Sequence, residues 1–362
     1  MFLHQDLGSE PLHGVIMAGG RGTRLLPLTL NRPKPMVEVL GRPVLDYVKD
    51  AMVAAGIEDI IVTTGFQGEV MSKHVDSWNS EVVNASINQE YTPMGTAGSV
   101  RLLSERLTQT FVVGSGDSVA SFDIAELLRL HKEKRAMVTM ALWQVEDPCE
   151  YGIVGLSSSP GGEVDGELKQ GYISRFKEKP SPEEAFSNVI NAGLYIIEPE
   201  VLQMVPEGEK YDFSKQLFPR VLELGMPMYA KTVEGIWYDV GHPLELLNAQ
   251  RALIEMRESL PFPMPEGEVL SDGSFVSKGS TVLGNIERSV ILSNCHISAE
   301  SSVKDSLIMS GCNVAGNISG SVIGESCIVK DSNLREMVIG DQQNIQSEDL
   351  SNHRLPVNEQ SE

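Results

Sequence analysis

The chain has 362 residues, too many for one small domain, and its 41% hydrophobic and 22% charged residues are the composition of an ordinary soluble globular protein. Lys plus Arg total 29 against 50 Asp plus Glu, a net charge of −21, and a surface this acidic repels nucleic-acid phosphates and anionic lipid. Nucleic acid and membrane are thereby excluded as partners, while a small anionic substrate is compatible if the few cations gather in one cleft.

Residues 1–6 carry no basic stretch ahead of a long apolar one, so no secretory leader is expected, and no apolar run nears the roughly 18 residues that span a bilayer. The first strand is expected over residues 14–18, an apolar run that ends in glycines. After it comes Met17-Ala18-Gly19-Gly20-Arg21-Gly22-Thr23-Arg24-Leu25, continuing to Arg32-Pro33-Lys34-Pro35-Met36. Three glycines after a strand let backbone N–H groups approach a polyphosphate without Cβ interference. Arg24 adds a fork suited to phosphate oxygens, and Lys34 a point charge. This is neither a P-loop, lacking Gly-Lys-Ser/Thr, nor the Gly-x-Gly-x-x-Gly dinucleotide turn.

Leu45, Val48 and Met52 mark the apolar face of a helix that Gly56 ends, and residues 60–64 form a β-branched strand. Residues 111–113 lead into Gly114-Ser115-Gly116-Asp117; Ile124, Leu127 and Leu128 form another helical face, and residues 137–145 a further strand. Such alternation predicts a three-layer α/β/α fold with a mixed, mostly parallel sheet, which binds ligands at the carboxyl ends of its strands. The two polar loops at 19–24 and 114–117 belong there.

Beyond Met256 helical periodicity stops. Pro261, Pro263 and Pro265 mark a linker over 259–270. Ser289-Val290-Ile291-Leu292, Ser306-Leu307-Ile308-Met309, Ser321-Val322-Ile323-Gly324 and Met337-Val338-Ile339-Gly340 then recur every 15 to 17 residues. Short apolar steps separated by Gly, Asn and Ser turns predict a parallel β-helix over 271–345, of four or five coils. A polar tail is expected over 346–362. The cysteines at 149, 295, 312 and 327 show no CxxC pair and no metal-ligand spacing, which fits a reducing, cytoplasmic setting.

The glycine-rich string closely resembles the signature of the sugar-phosphate nucleotidyltransferases, and the resemblance runs over residues 14–249. Among subgroups the chain is most similar to mannose-1-phosphate guanylyltransferases. The resemblance implies a Rossmann-like nucleotidyltransferase domain over 1–258 and a left-handed β-helix after it. It also implies a reaction: a nucleoside triphosphate joins a sugar 1-phosphate, pyrophosphate leaves, and Mg²⁺ assists. It assigns nucleotide contacts to Ala18, Gly19, Gly20, Gly22, Thr23, Arg24, Lys34, Glu90, Gly95, Thr96 and Asp117. Gly152, Glu178, Lys179, Asn191 and Asp239 would hold the sugar phosphate, and Asp117 and Asp239 the metal. Catalysis would rest on Arg24, Lys34, Asp117, Lys179 and Asp239. One departure is Ser115, where many relatives carry Asn.

Residue type at position 90 can be weighed physically. A carboxylate only accepts hydrogen bonds, and guanine offers N1–H and N2–H side by side, whereas uracil or thymine offers one N–H between carbonyls. Leaving a buried polar group unpaired costs roughly 1–3 kcal/mol, enough for a preference for GTP. The alternative is that Glu90 faces solvent and backbone groups choose the base. The expected reaction is therefore GTP plus mannose 1-phosphate to GDP-mannose, with glucose-1-phosphate thymidylyl or uridylyl transfer as the other pair. A non-catalytic regulatory relative should have lost the charged positions, and Arg24, Lys34, Asp117, Lys179 and Asp239 are all retained. The open-ended β-helix is expected to mediate homo-oligomerisation.

Overall fold

The computed structural model describes residues 12–65, 68–258, 260 and 264–356. The N-terminal stretch read for a leader, and Pro261 and Pro263 of the linker, lie outside them. Packing divides the chain into two units. Of the described residues, one takes those within Met1–Gly19, Tyr47–Gly116 and Ala120–Trp237; the other takes those within Gly20–Asp46, Asp117–Val119 and Tyr238–Glu362. This division is not the one read at residue 258. The segment after the first strand, with Asp117 and Asp239, groups with the C-terminal repeats.

The first unit is built on a nine-stranded sheet. Its strands are β1 (His13–Met17), β2 (Asp59–Thr64), β3 (Asn84–Gln89), β4 (Phe111–Ser115), β5 (Val138–Gln144), β6 (Gly152–Ser157), β7 (Gln170–Glu178), β8 (Val189–Ile197) and β9 (Met228–Thr232). They lie in the order β3-β2-β1-β4-β8-β5-β9-β7-β6. The first four neighbours are parallel. Past β4 the parallel preponderance ends: β8 runs antiparallel to β4 and β5, and β7 antiparallel to β9 and β6. The unit is thus α/β and Rossmann-like, with a mixed sheet. Val15, Ile16, Ile60, Ile61 and Val62 are fully buried, as expected of parallel strands covered on both faces. A Cβ at Gly114 would sit 2.6 Å from Val48 Cγ1, so that glycine lets the helix residues Val48 and Met52 lie close on β4.

The second unit carries the β-helix. One face stacks Phe275–Ser277, Val290–Ile291, Leu307–Ile308, Val322–Ile323, Val338–Ile339 and Arg354–Leu355 in parallel register. Inward side chains such as Ile291, Ile308, Ile323 and Ile339 are fully buried, each against its equivalent one coil away. One corner repeats a left-handed backbone at Arg288, Asp305, Gly320, Glu336 and Asn352. Inside, the hydroxyls of Ser274, Ser289, Ser306 and Ser321 each accept from a backbone N–H of the next coil, at 2.9–3.1 Å. Along another edge the thiols of Cys295, Cys312 and Cys327 donate to the carbonyls of Met309, Gly324 and Gly340, at 3.0–3.1 Å. Both ladders satisfy polar groups that no water reaches.

The repeats extend past residue 345. Asp349–Ser351 pairs with Asn333–Arg335, and Arg354–Leu355 with Val338–Ile339, so residues 346–356, read as polar tail, form part of a further coil. Only Leu350 and Leu355 turn toward the core there, which is why composition hides the coil. Among the described residues, no helix is long and apolar enough to cross a membrane.

Candidate active site

The sequence-predicted residues divide between the two units. In the second, Gly22 adopts φ +65, and a Cβ there would lie 2.8 Å from Lys34 Cβ and 3.0 Å from Thr29 Cγ2. Only glycine satisfies both conditions. Thr29 Oγ1 donates to the Gly22 carbonyl at 2.8 Å, closing the loop on itself. The loop thereby packs against the stem of Lys34, which is only 7% exposed. At its end the ammonium donates to Asp117 Oδ2 at 2.7 Å and to Asp239 Oδ1 at 2.8 Å. Burial alone would lower the Lys34 pKa; the charges of Asp117 and Asp239 and their hydrogen bonds outweigh it and raise it above the ordinary lysine value.

Three residues from distant parts of the chain thus meet at one point. Arg24 is nearby as well: a Cβ at Gly241 would lie 3.4 Å from Arg24 Nη2 and 3.3 Å from Asp239 Oδ2. Among the described residues no three His, Cys, Asp or Glu side chains are arranged so as to hold a metal ion. Two carboxylates do converge, on an ammonium that stands in for a cation. Hard oxygen donors in this number fit Mg²⁺, which takes one or two carboxylates and completes its shell with phosphate and water. Thr23 and Arg24 are exposed. A Cβ at Gly20 would meet nothing within 4 Å, so that backbone is open to a ligand.

In the first unit Ala18 N donates to Thr63 O at 2.8 Å, fixing the end of β1. The segment expected to read the base folds tightly. Glu90 is partly exposed, and its carboxylate accepts from the Ser99 hydroxyl and from Met94 N. Gly95 has φ +73, and a Cβ there would come within 2.6 Å of Tyr211 O. The N–H groups of Ala97 and Gly98 both donate to that carbonyl, at 2.9 Å.

The residues expected to hold the sugar phosphate form a second cluster in this unit. Glu178 and Gly152 are register partners on β7 and β6, and a Cβ on Gly152 would lie 2.7 Å from Glu178 Oε2. Burial raises the Glu178 pKa against the pull of Lys179 and Lys215. Lys179 follows with φ +43, a strained value for a lysine of the kind that collects at functional positions. Its N–H donates to Tyr151 O at 2.9 Å and its half-exposed ammonium lies 3.4 Å from Glu150. Asn191, at a bulge of β8, donates to Tyr195 Oη at 2.8 Å and Ser214 Oγ at 3.3 Å, and accepts from Gly193 N at 2.9 Å.

Sequence reasoning missed the segment that joins these clusters. Phe213–Leu217 is a single π-helical turn, and the residues at its start reach both ways. Asp212 Oδ1 accepts from Thr96 N at 3.2 Å and Thr96 Oγ1 at 3.3 Å, while Ser214 touches Asn191. The clue available was Asp212, Ser214 and Lys215 set around the first apolar position, Phe213, of the run Phe213, Leu217, Phe218 and Val221.

A family model described as Nucleotidyl transferase matches residues 13–256. A Yarrowia lipolytica protein named mannose-1-phosphate guanyltransferase is 33% identical over 278 residues, covering 75% of this chain and 71% of that protein. The Xenopus tropicalis mannose-1-phosphate guanylyltransferase catalytic subunit beta is 33% identical over 240 residues, 65% of this chain and 63% of its own length, so the match spans less than two-thirds of that relative. A Synechocystis UTP–glucose-1-phosphate uridylyltransferase is 29% identical over 334 residues, 88% of this chain and 80% of that protein.

Proposed function

Because the chain belongs to the nucleotidyl transferase family, we propose that it transfers a nucleoside monophosphate from a triphosphate to a sugar 1-phosphate, and that its pair is GTP and mannose 1-phosphate. The observation that carries this reading is the meeting of Lys34 with Asp117 and Asp239 beside the Gly19–Arg24 loop. A phosphate oxygen of the sugar 1-phosphate forms the new bond to the α-phosphorus; the bond from that phosphorus to the bridging oxygen breaks, and pyrophosphate leaves with the electron pair. The attacking oxygen is already an anion, so no general base is needed. What the protein supplies is position and charge.

The backbone of Gly19, Gly20 and Gly22, with Thr23 and Arg24, binds the triphosphate. Lys34 moves from its two carboxylates to phosphate oxygens as these arrive. Asp117 and Asp239 would hold Mg²⁺, which when bound offsets the repulsion between the two phosphates. Lys179 binds the phosphate of the sugar, while Glu178, Asn191 and the Gly152 backbone bind its hydroxyls. Gly95 and Thr96 flank the base. The preference for guanine is supported by the relatives' names and by the acceptor-only chemistry of Glu90, whose oxygens each keep a further lone pair. A cytoplasmic setting and self-association through the β-helix belong to the same reading.

Glucose 1-phosphate with UTP is the second reading, favoured by the Synechocystis relative, whose match extends over 88% of the chain. A matrix of GTP, UTP, dTTP and ATP against mannose and glucose 1-phosphates, read by pyrophosphate release, tests both. The expected result is fastest turnover for GTP with mannose 1-phosphate, absent in Asp117→Ala. Turnover with UTP and glucose 1-phosphate alone selects the second reading; full activity in Asp117→Ala sinks the metal assignment.

A further inference from the structure

Within the second unit, the segment that carries Arg24 and Lys34 lies against the last coils of the β-helix. Arg32, whose side chain is 13% exposed, pairs with both Glu325 and Asp341. Asp341 is held in turn by Glu325 N, which donates to its Oδ1 at 2.9 Å. Arg354 donates through one Nη1 to the carbonyls of Arg24 at 2.9 Å and Leu26 at 2.7 Å. Glu38 Oε2 accepts from Ser310 Oγ at 3.2 Å. A Cβ on Gly340 would lie 3.1 Å from Pro27 Cβ, so that coil is trimmed where the segment crosses it. These contacts bracket the triphosphate residues: Arg354 at the Thr23–Leu25 turn, Arg32 two residues before Lys34.

We propose that the terminal coils of the β-helix are a positioning element for the triphosphate loop, with Arg354 and the Arg32–Glu325–Asp341 cluster as positioning residues. The chemistry supports that role. A turn of Thr23–Leu25 leaves carbonyls without partners, and a single guanidinium nitrogen of Arg354 satisfies two at once while fixing where the Arg24 side chain starts. Arg32 is anchored by two carboxylates, so the following Pro33-Lys34-Pro35 cannot shift without breaking a shielded ion cluster. Nothing in this requires a residue of the β-helix to touch substrate. The proposal rests on the nucleotide reading of the loop.

The test uses the full-length protein. Arg354 is surface-exposed, so Arg354→Ala folds, and a lost charge-assisted contact worth roughly 1.5 kcal/mol corresponds to about a tenfold rise in KM for GTP. The KM for the sugar 1-phosphate should stay within about twofold on the same scale. Arg354→Lys, which keeps the charge and several donors on one nitrogen but on a shorter reach, should recover part of the loss. The reciprocal readout is hydrogen exchange: GTP with Mg²⁺ should slow exchange at residues 19–34 and also at 325–341, since coupling between two regions acts in both directions. Glu325→Gln/Asp341→Asn should abolish the second protection and keep part of the first. A GTP-protected loop with unprotected coils, together with an unchanged KM in Arg354→Ala, overturns the positioning role alone. If GTP protects neither region in the wild type, the nucleotide reading falls and takes this proposal with it.

Discussion

At the scale of single residues, Lys34 carries the most. It is a shielded ammonium between two carboxylates, and removing it leaves those carboxylates facing each other. Replacing Lys34 by Met should therefore destabilise the fold by about 1–3 kcal/mol, below the 3–5 of a fully buried pair because Asp117 is 37% and Asp239 23% exposed. Adding Asp117→Asn to Lys34→Met should recover part of that loss, which a double-mutant cycle in urea would read. The pH dependence has a definite sign. A folded lysine pKa raised above its ordinary value contributes stability in full below about 10.4 and loses it as pH climbs through the raised value. The gap between wild type and Lys34→Met should accordingly be flat from pH 6 to about 9 and narrow only above that. Sequence made Lys34, Asp117 and Asp239 visible as members of motifs. It did not make their mutual contact visible, because side chains 83 and 205 residues apart leave no local pattern.

At the scale of elements, the loop from Glu90 to Gly98 shows how a short helix start can be built from closure. Met94 O accepts from Tyr211 N at 2.8 Å, and Tyr211 O accepts from Ala97 N and Gly98 N. Two chain segments thus cap one another at Gly95. Gly95→Ala meets both a left-handed φ and a carbonyl 2.6 Å from the new methyl, so a loss of at least about 1–2 kcal/mol in stability is expected. Nucleotide affinity should fall with it, by calorimetric titration of GTP, while affinity for the sugar 1-phosphate changes less. The glycine itself was legible from sequence, and so were the strands β1, β2, β4 and β5, whose β-branched runs end in polar loops. The antiparallel placement of β8 was not, since a strand buried on both faces reads the same in either direction. The last coil was lost for a different reason: Leu350 and Leu355 are single apolar residues among polar ones.

For the whole molecule, the boundary read at the proline cluster follows the order of segments along the chain, while packing also groups distant segments. Residues 20–46 belong with coils that begin more than two hundred residues later. Ion pairs such as Arg32 with Glu325 have no periodicity and no composition signal, so only the folded chain reveals them. Closing a loop of 293 residues costs on the order of 5 kcal/mol in chain entropy, which an isolated ion pair could not offset. The segment should therefore order only once the β-helix has formed. In refolding from denaturant followed by pulsed hydrogen exchange, amides of residues 22–36 should gain protection with those of residues 322–341 and not ahead of them. Protection of the loop at the rate of an earlier-forming β1 would show that it orders without the coils.

The pairing of Arg32 with Glu325 also sets a clock for biosynthesis. At 5–20 residues per second, a ribosome that has made Arg32 needs roughly 15–60 s to deliver a partner 293 residues further on. The last sheet strand, Met228–Thr232, is made well before Glu325, so the sheet can assemble while residues 22–36 still have no coils to lie on. With the coils acting on the loop as proposed, a ribosome-bound chain should take up GTP only after residues 325–354 have emerged.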